Sequence, residues 1–346
     1  MVIKLLKRIA FLILPVLIIM ATVNYIVDPA LVLHDGKFES EIAQAILNNK
    51  DVSLTTNYNE RKVQRFIIQG ITESPDGIIV GSSRVMKIPL TSLGIENGFC
   101  NGVSGATIED IISIIGMYDN RNMLPSKVVI GIDPWLFNDN HSDTRYHELI
   151  REYNAFADKL NLSPLTETIE SKPWFIKISQ ALSPTYFQAS IDAIQNAPAH
   201  PTVIAKEKNL ETTEIKDSLT TEAEIDEVNK SVLAIINTNF KYQSENYKEL
   251  SQRVISNLEM LVDYLESEGV FVTFILPPVH PLYYEYITNT PECKMLIEAE
   301  TFIYAFAEEK KIEIIGSYNP ELVGADNADF TDYIHPTWEV MAKICS

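Results

Sequence analysis

Short apolar segments alternate with amphipathic helical segments over much of this chain, and this alternation restricts the fold more than any other feature. One such helical segment, after residue 249, repeats leucine and valine at helical spacing and ends near Gly269. Strands that alternate with helices indicate a parallel sheet covered on both faces. We therefore expect an α/β fold with a doubly wound, flavodoxin-like sheet of five parallel strands. The predicted strands are residues 78–80, 99–103, 127–132, 270–276 and 312–315.

The alternation stops between about residues 138 and 245, where segments such as 147–160 and 184–194 favour helices. Residues 28–75 are polar and mixed, and the alternation of strands and helices begins after them. We therefore expect a membrane-proximal segment over 28–75. A single domain over 76–346 should follow it, with a helical insertion at about 138–245.

The N-terminus carries an uncharged apolar segment over residues 9–27, which Lys4, Lys7 and Arg8 precede. As a helix it would span about 30 Å, the thickness of the hydrocarbon core of a bilayer. A cleaved signal peptide is the main alternative, but the segment exceeds the usual ~7–15 apolar residues and no small-residue cleavage site follows it. We expect a transmembrane anchor over 9–27, a cytoplasmic tail over 1–8 and an extracytoplasmic domain held at the cell membrane.

The composition restricts the partners and cofactors. The 346 residues include 28 Lys and Arg against 47 Asp and Glu, for a formal net charge of −19. Nucleic-acid binders need a basic face, so we expect no nucleic-acid partner. The three cysteines lack metal-ligand spacing, and His141 and His147 have no third ligand near them in the sequence. We expect neither a metal ion nor another cofactor.

Polar residues that can carry chemistry follow each of the predicted strands. Because the carboxyl ends of parallel strands meet at one edge of a sheet, we expect these side chains to lie close together. They are Ser82, Ser83 and Arg84 after the first strand, Ser104 after the second, Asp133 after the third, His280 after the fourth, and Asp332 with His335 after the fifth. Gly105, next to Ser104, can offer only its backbone N–H.

A serine among these residues could act as a nucleophile if a base accepts its proton and a third group orients the base. Asp332 and His335 are three residues apart, close enough for the carboxylate to orient the imidazole. Either Ser82 or Ser83 would complete a Ser-His-Asp triad. Backbone N–H groups in the glycine-rich turns would then stabilise an oxyanion.

Three segments resemble sequence blocks of the SGNH (GDSL-type) hydrolase superfamily: Gly-Ser-Ser at 81–83, Asn-Gly-Val-Ser-Gly at 101–105, and Asp-Tyr-Ile-His at 332–335. The likeness covers about 76–136 and 246–346, and its specific parts are the terminal block and the order of the blocks. The layout of the chain is also similar to the DltD family of teichoic-acid D-alanylation. It further resembles SGNH proteins that accompany membrane acyltransferases in polysaccharide O-acetylation.

The resemblance implies a role for each site residue. Ser83 would be the nucleophile, His335 the base and Asp332 its orienting group, with the N–H groups of Ser83 and Gly105 as oxyanion donors. Asp133 departs from the family pattern, because it stands where the family offers an asparagine amide to the oxyanion. An ionised carboxylate would repel that charge. Either Asp133 has another role or the oxyanion hole has backbone donors alone.

We therefore expect an enzyme that takes an acyl group from an ester donor and passes it to a hydroxyl of a cell-surface polymer, with a multi-pass membrane acyltransferase as a partner. An esterase or O-deacetylase is the first alternative. A non-catalytic protein that binds a polymer or a partner is the second, and Asp133 is its main support. Arg84, Asp133 and His280 are candidate substrate contacts, although Arg84 could instead pair with an acid and His280 could be structural.

Overall fold

The computed structural model describes residues 2–29, 32–34, 36–54, 58–166, 173–196, 203–207, 219, 221–238 and 244–346. The strands in these residues are β1 (Lys50–Leu54), β2 (Gly77–Gly81), β3 (Gly98–Gly102), β4 (Lys127–Gly131), β5 (Val203–Glu207), β6 (Phe271–Leu276) and β7 (Glu313–Gly316). The helices are α1 (Val2–Val27), α2 (Lys37–Leu47), α3 (Glu60–Gly70), α4 (Ile108–Asp119), α5 (Ile150–Ala157), α6 (Pro173–Ala181), α7 (Pro184–Asn196), α8 (Glu222–Asn237), α9 (Gln252–Ser267), α10 (Pro281–Asn289), α11 (Lys294–Lys310) and α12 (Trp338–Ile344).

The chain divides into two compact units. The first unit contains Met1–Gly70 and Thr166–Lys208, and the second contains Ile71–Leu165 and Asn209–Ser346. Residues 166–208 come from within the insertion that we expected over about 138–245, but the structure groups them with the N-terminal residues. Only the remainder of that insertion belongs to the unit that contains the five-stranded sheet.

In the first unit, α1 extends from Val2 to Val27 and so includes residues that we expected in a separate tail over 1–8. The amide of Asn24, a polar residue in this apolar helix, donates to the carbonyls of Gln180 and Ala181 at 3.2 and 3.1 Å. Strands β1 and β5 pair antiparallel in the same unit.

The transmembrane anchor expected over residues 9–27 is not supported. Within the described part of the chain, the structure contains no helix that combines the length and the apolar content needed to cross a membrane. The side chains of residues 5–10 lie outside that part.

The second unit is built on a parallel five-stranded sheet in the order β3-β2-β4-β6-β7. Numbered by their order along the chain, its strands follow the sequence 2-1-3-4-5, which is the doubly wound order that the sequence predicted. The interior residues 78–80 of β2 and 128–130 of β4 are fully buried. Central strands covered on both faces need side chains that are apolar throughout, which explains their unbroken runs of Ile and Val.

Capping side chains lie at the starts of α4 and α9. A capping box between Thr107 and Asp110 starts α4, and the Ser251 side chain accepts the Val254 N–H at the start of α9. The last helix, α12, begins at Trp338. Pro336 forms an antiparallel bridge with Phe330, which keeps the backbone extended before the helix.

Candidate active site

The segment after β2 presents one serine and buries the other. Ser83 begins a short 3₁₀ turn, and Ser82 precedes it as a buried cap whose hydroxyl accepts the Arg84 N–H at 3.2 Å. Gly81 has a φ of +150°, and a Cβ at this position would lie 3.1 Å from the backbone of Gly131. Glycine at 81 therefore lets β2 approach β4 closely just before the turn. The arrangement favours Ser83 over Ser82 as the reactive serine.

Ser83, His335 and Asp332 form a continuous chain of hydrogen bonds. The Oγ of Ser83 lies 2.8 Å from Nε2 of His335, although the two residues are 252 positions apart in the sequence. The Nδ1 of His335 lies 2.7 Å from Oδ2 of Asp332. An ionised carboxylate only accepts hydrogen bonds, so Nδ1 of a neutral ring carries the proton and Nε2 is free to accept the serine proton.

The environment of Asp332 keeps its carboxylate ionised. Burial raises the pKa of this carboxyl, but hydrogen bonds and the charge of the His335 ring outweigh burial, and the net pKa lies below its ordinary value. The hydrogen bonds come from the His335 ring and from the backbone N–H groups of Ile334 and His335, both at 2.8 Å. A carboxylate held in this way orients the imidazole for proton transfer.

Backbone hydrogen bonds fix the loop that carries Asp332 and His335. The Thr331 N–H donates to the carbonyl of His335 at 3.0 Å, so the loop closes on itself. The His280 N–H donates to the carbonyl of Tyr333 at 3.1 Å, which ties the loop to the segment after β6. The loop of His335 is therefore held by the segment after β6 as well as by its neighbours in sequence.

The two backbone N–H groups predicted as oxyanion donors are those of Ser83 and Gly105. The Ser83 N–H is the first of its 3₁₀ turn and so has no preceding carbonyl within the turn. Gly105 has a φ of +60° and lies three residues before α4. Among the described residues, neither N–H donates to a protein acceptor.

The two charged residues that we expected to touch substrate bind each other instead. Arg84 is 1% exposed and Asp133 is 4% exposed, and the Nη1 of Arg84 donates to Oδ1 of Asp133 at 2.7 Å. Burial of this degree leaves neither side chain available to a substrate. The guanidinium also lies 5.3 Å from the ring centroid of Trp135, a contact that sequence reasoning missed. The carboxylate that would have opposed an oxyanion is thus paired with a cation.

His280 is likewise not a substrate contact, because its side chain is fully buried. Its Nδ1 accepts the Leu282 N–H at 3.2 Å and so caps α10. Burial lowers the pKa of His280 to about 4, although the charge of Asp332 raises it slightly. The imidazole of His280 therefore stays neutral at pH 7. His280 therefore has the structural role that we gave as the alternative to substrate contact.

Two other properties of the chain bear on its function, its capacity to hold a metal ion and its similarity to known proteins. Among the described residues, no three His, Cys, Asp or Glu side chains are grouped so that they could hold a metal ion. No family profile matches the chain, and no curated protein matches it either. Several solved structures are similar, among them that of a Bacteroides fragilis protein provisionally described as an acylhydrolase. It is 11% identical, with a TM-score of 0.38, over 84% of this chain and 95% of that one. A similarity this low carries no argument about activity.

Proposed function

We propose that the chain is a serine acyl-transfer enzyme with Ser83 as its nucleophile. The observation that supports this most strongly is the chain of hydrogen bonds from Ser83 through His335 to Asp332, at 2.8 and 2.7 Å. Each neighbouring pair in it is at the distance that proton transfer requires.

In the first half of the reaction, Nε2 of His335 accepts the proton of Ser83 as Oγ bonds to the acyl carbon. The N–H groups of Ser83 and Gly105 hold the resulting oxyanion. The carbon–oxygen bond of the ester then breaks, and the leaving alkoxide takes the proton from His335. In the second half, an acceptor hydroxyl gives its proton to His335 and attacks the acyl-enzyme, and Ser83 leaves with that proton.

The identity of the acceptor is part of this proposal. We propose a hydroxyl of a cell-surface polysaccharide or another surface polymer, an acyl ester as donor, and a multi-pass membrane acyltransferase as the partner. The support is the resemblance of the sequence blocks to SGNH proteins of polysaccharide O-acetylation. A location at the outer face of the cell membrane rests on the same resemblance.

Hydrolysis is the second candidate, because the side chain of His335 is 28% exposed and water can reach it. Water would then take the place of the acceptor hydroxyl, with the same residues in the same roles. Adding a polyol to the acyl-enzyme separates the two activities. A transferase forms the polyol ester faster than free acid, whereas a hydrolase releases free acid at a rate that the polyol does not change.

A fluorophosphonate reagent tests the nucleophile. The full chain should gain one adduct by intact mass, Ser83→Ala should abolish it, and Ser82→Ala should keep it. Ser82→Ala is the matched control, because it removes the neighbouring hydroxyl, which serves as a buried cap. Circular dichroism should show both variants folded. An adduct that survives Ser83→Ala would contradict the proposal.

A further inference from the structure

Arg84 is a buried cation whose guanidinium makes several hydrogen bonds. Four of the five N–H groups of its guanidinium donate to protein acceptors. These acceptors are the carbonyl of Ile334 at 2.9 Å, Oδ1 of Asp133 at 2.7 Å, the carbonyl of Pro278 at 2.8 Å and the carbonyl of Pro277.

The acceptors of Arg84 belong to three different segments. Asp133 follows β4, Pro277 and Pro278 follow β6, and Ile334 lies beside His335 in the loop that carries the base. Arg84 itself follows Ser83 directly. One planar guanidinium therefore joins the turn of the nucleophile, the ends of two strands and the loop of the base.

Arg84 thus acts on the two reacting side chains through their backbones. The hydrogen bond from its Nε to the carbonyl of Ile334 fixes the loop one residue before His335. The Nη1 and Nη2 groups bind Asp133 and the carbonyl of Pro278 at the sheet edge. Because the guanidinium is planar and rigid, a shift of the loop would break the hydrogen bond to Ile334 or these two. Asp133 supplies the counter-charge that a buried guanidinium requires.

We propose that Arg84 is a positioning residue for acyl transfer, which sets the distance between Ser83 and His335 by holding the carbonyl of Ile334, with Asp133 as its counter-ion. The inference rests on the proposed function. It also assigns a role to the departure at position 133, where the family that the sequence resembles has an asparagine. An amide there would leave the cation uncompensated.

The variant Arg84→Lys tests this role, because it keeps the charge beside Asp133 but lacks the planar fork. The measurement is phosphonylation of Ser83 by a fluorophosphonate over a range of reagent concentrations. The rate at saturation should fall about 10²-fold, the cost of misplacing reacting groups by about 1 Å, while the half-saturating concentration stays within about threefold. A saturated rate within about threefold of wild type would overturn the inference.

A double-mutant cycle separates positioning from a purely structural role. If Arg84 positions His335, then His335→Ala should reduce the rate far less in the Arg84→Lys protein than in the wild type. If Arg84→Lys only lowers the folded fraction, His335→Ala should reduce the rate by the same factor in both proteins, which would overturn the inference.

A second variant guards against misfolding of Arg84→Lys. Arg84→Met/Asp133→Leu removes both charges together and leaves no uncompensated charge in the interior. We expect this protein to fold and to react with the fluorophosphonate as slowly as Arg84→Lys, and a rate near wild type would contradict the inference.

Ser83→Ala distinguishes failure of the proposed function from failure of the positioning role. An adduct that survives Ser83→Ala refutes the proposed function. An adduct that it abolishes, together with a normal rate in both Arg84 variants, refutes the positioning role alone.

Discussion

Replacing Asp133 by asparagine should strongly destabilise the unit that contains the five-stranded sheet. Arg84 and Asp133 are 1% and 4% exposed, so the change leaves a guanidinium charge in the interior without its counter-ion. Removing one partner of a buried ion pair typically costs about 3–5 kcal/mol. The asparagine oxygen can still accept a hydrogen bond from Arg84, so we expect a loss near the lower limit, about 3 kcal/mol. In a unit of this size that corresponds to a fall in Tm of roughly 6–12 °C.

Thermal and urea unfolding of the purified full chain measure this loss. The matched control is Glu298→Gln, which breaks the exposed pair between Lys294 and Glu298, whose side chains are 72% and 41% exposed. An exposed pair contributes at most about 1 kcal/mol, so the control should be close to wild type. If Asp133→Asn costs no more than Glu298→Gln, the reasoning about a buried charge is wrong.

Three further predictions concern the triad, the nucleophile turn and the buried histidine. Asp332→Asn should lower the phosphonylation rate by at least ~10³-fold without unfolding the protein, because an amide no longer fixes the tautomer of His335. Stopped-flow kinetics and circular dichroism on the same samples test this. Gly81→Ala should lower both Tm and the phosphonylation rate, because residue 81 has a φ of +150° and an added Cβ would lie 3.1 Å from the Gly131 backbone. A variant with wild-type values would show that the close approach of β2 to β4 does not require glycine. His280→Asn should flatten the dependence of stability on pH. Burial lowers the pKa of His280 from 6.5 to about 4. Between these two pH values the unfolded chain binds a proton that the native protein does not, so a fall in pH destabilises the native protein. Urea unfolding of both proteins across this window measures the effect, and identical pH profiles would contradict it.

The sheet could be predicted because buried parallel strands leave a local signal. The interior residues of β2 and β4 form unbroken apolar runs and are fully buried. Such patterns depend only on neighbouring residues. The same logic placed Ser83 and His335 at one edge of the sheet, since every strand in a parallel sheet ends on the same side.

The partner of a buried charge leaves no local signal. Arg84 and Asp133 are 49 residues apart, and nothing near Asp133 in the sequence shows that its carboxylate would meet a cation and not a substrate. The grouping of residues 166–208 with the N-terminal residues depends in the same way on long-range contacts. His280 shows a related limit, because a histidine after a strand has the same sequence pattern whether it lines a cleft or caps a helix.

The central claim is that His335 activates Ser83, and the most direct test is the rate at which a fluorophosphonate modifies Ser83 in the His335→Ala protein. The two side chains are 2.8 Å apart in the structure. If His335 is the base, the variant should keep a Tm close to wild type while the rate falls by at least ~10³-fold. The pair Ser83→Ala/His335→Ala should then lose little more than either single variant. A folded His335→Ala protein that keeps more than about a tenth of the wild-type rate would contradict the account.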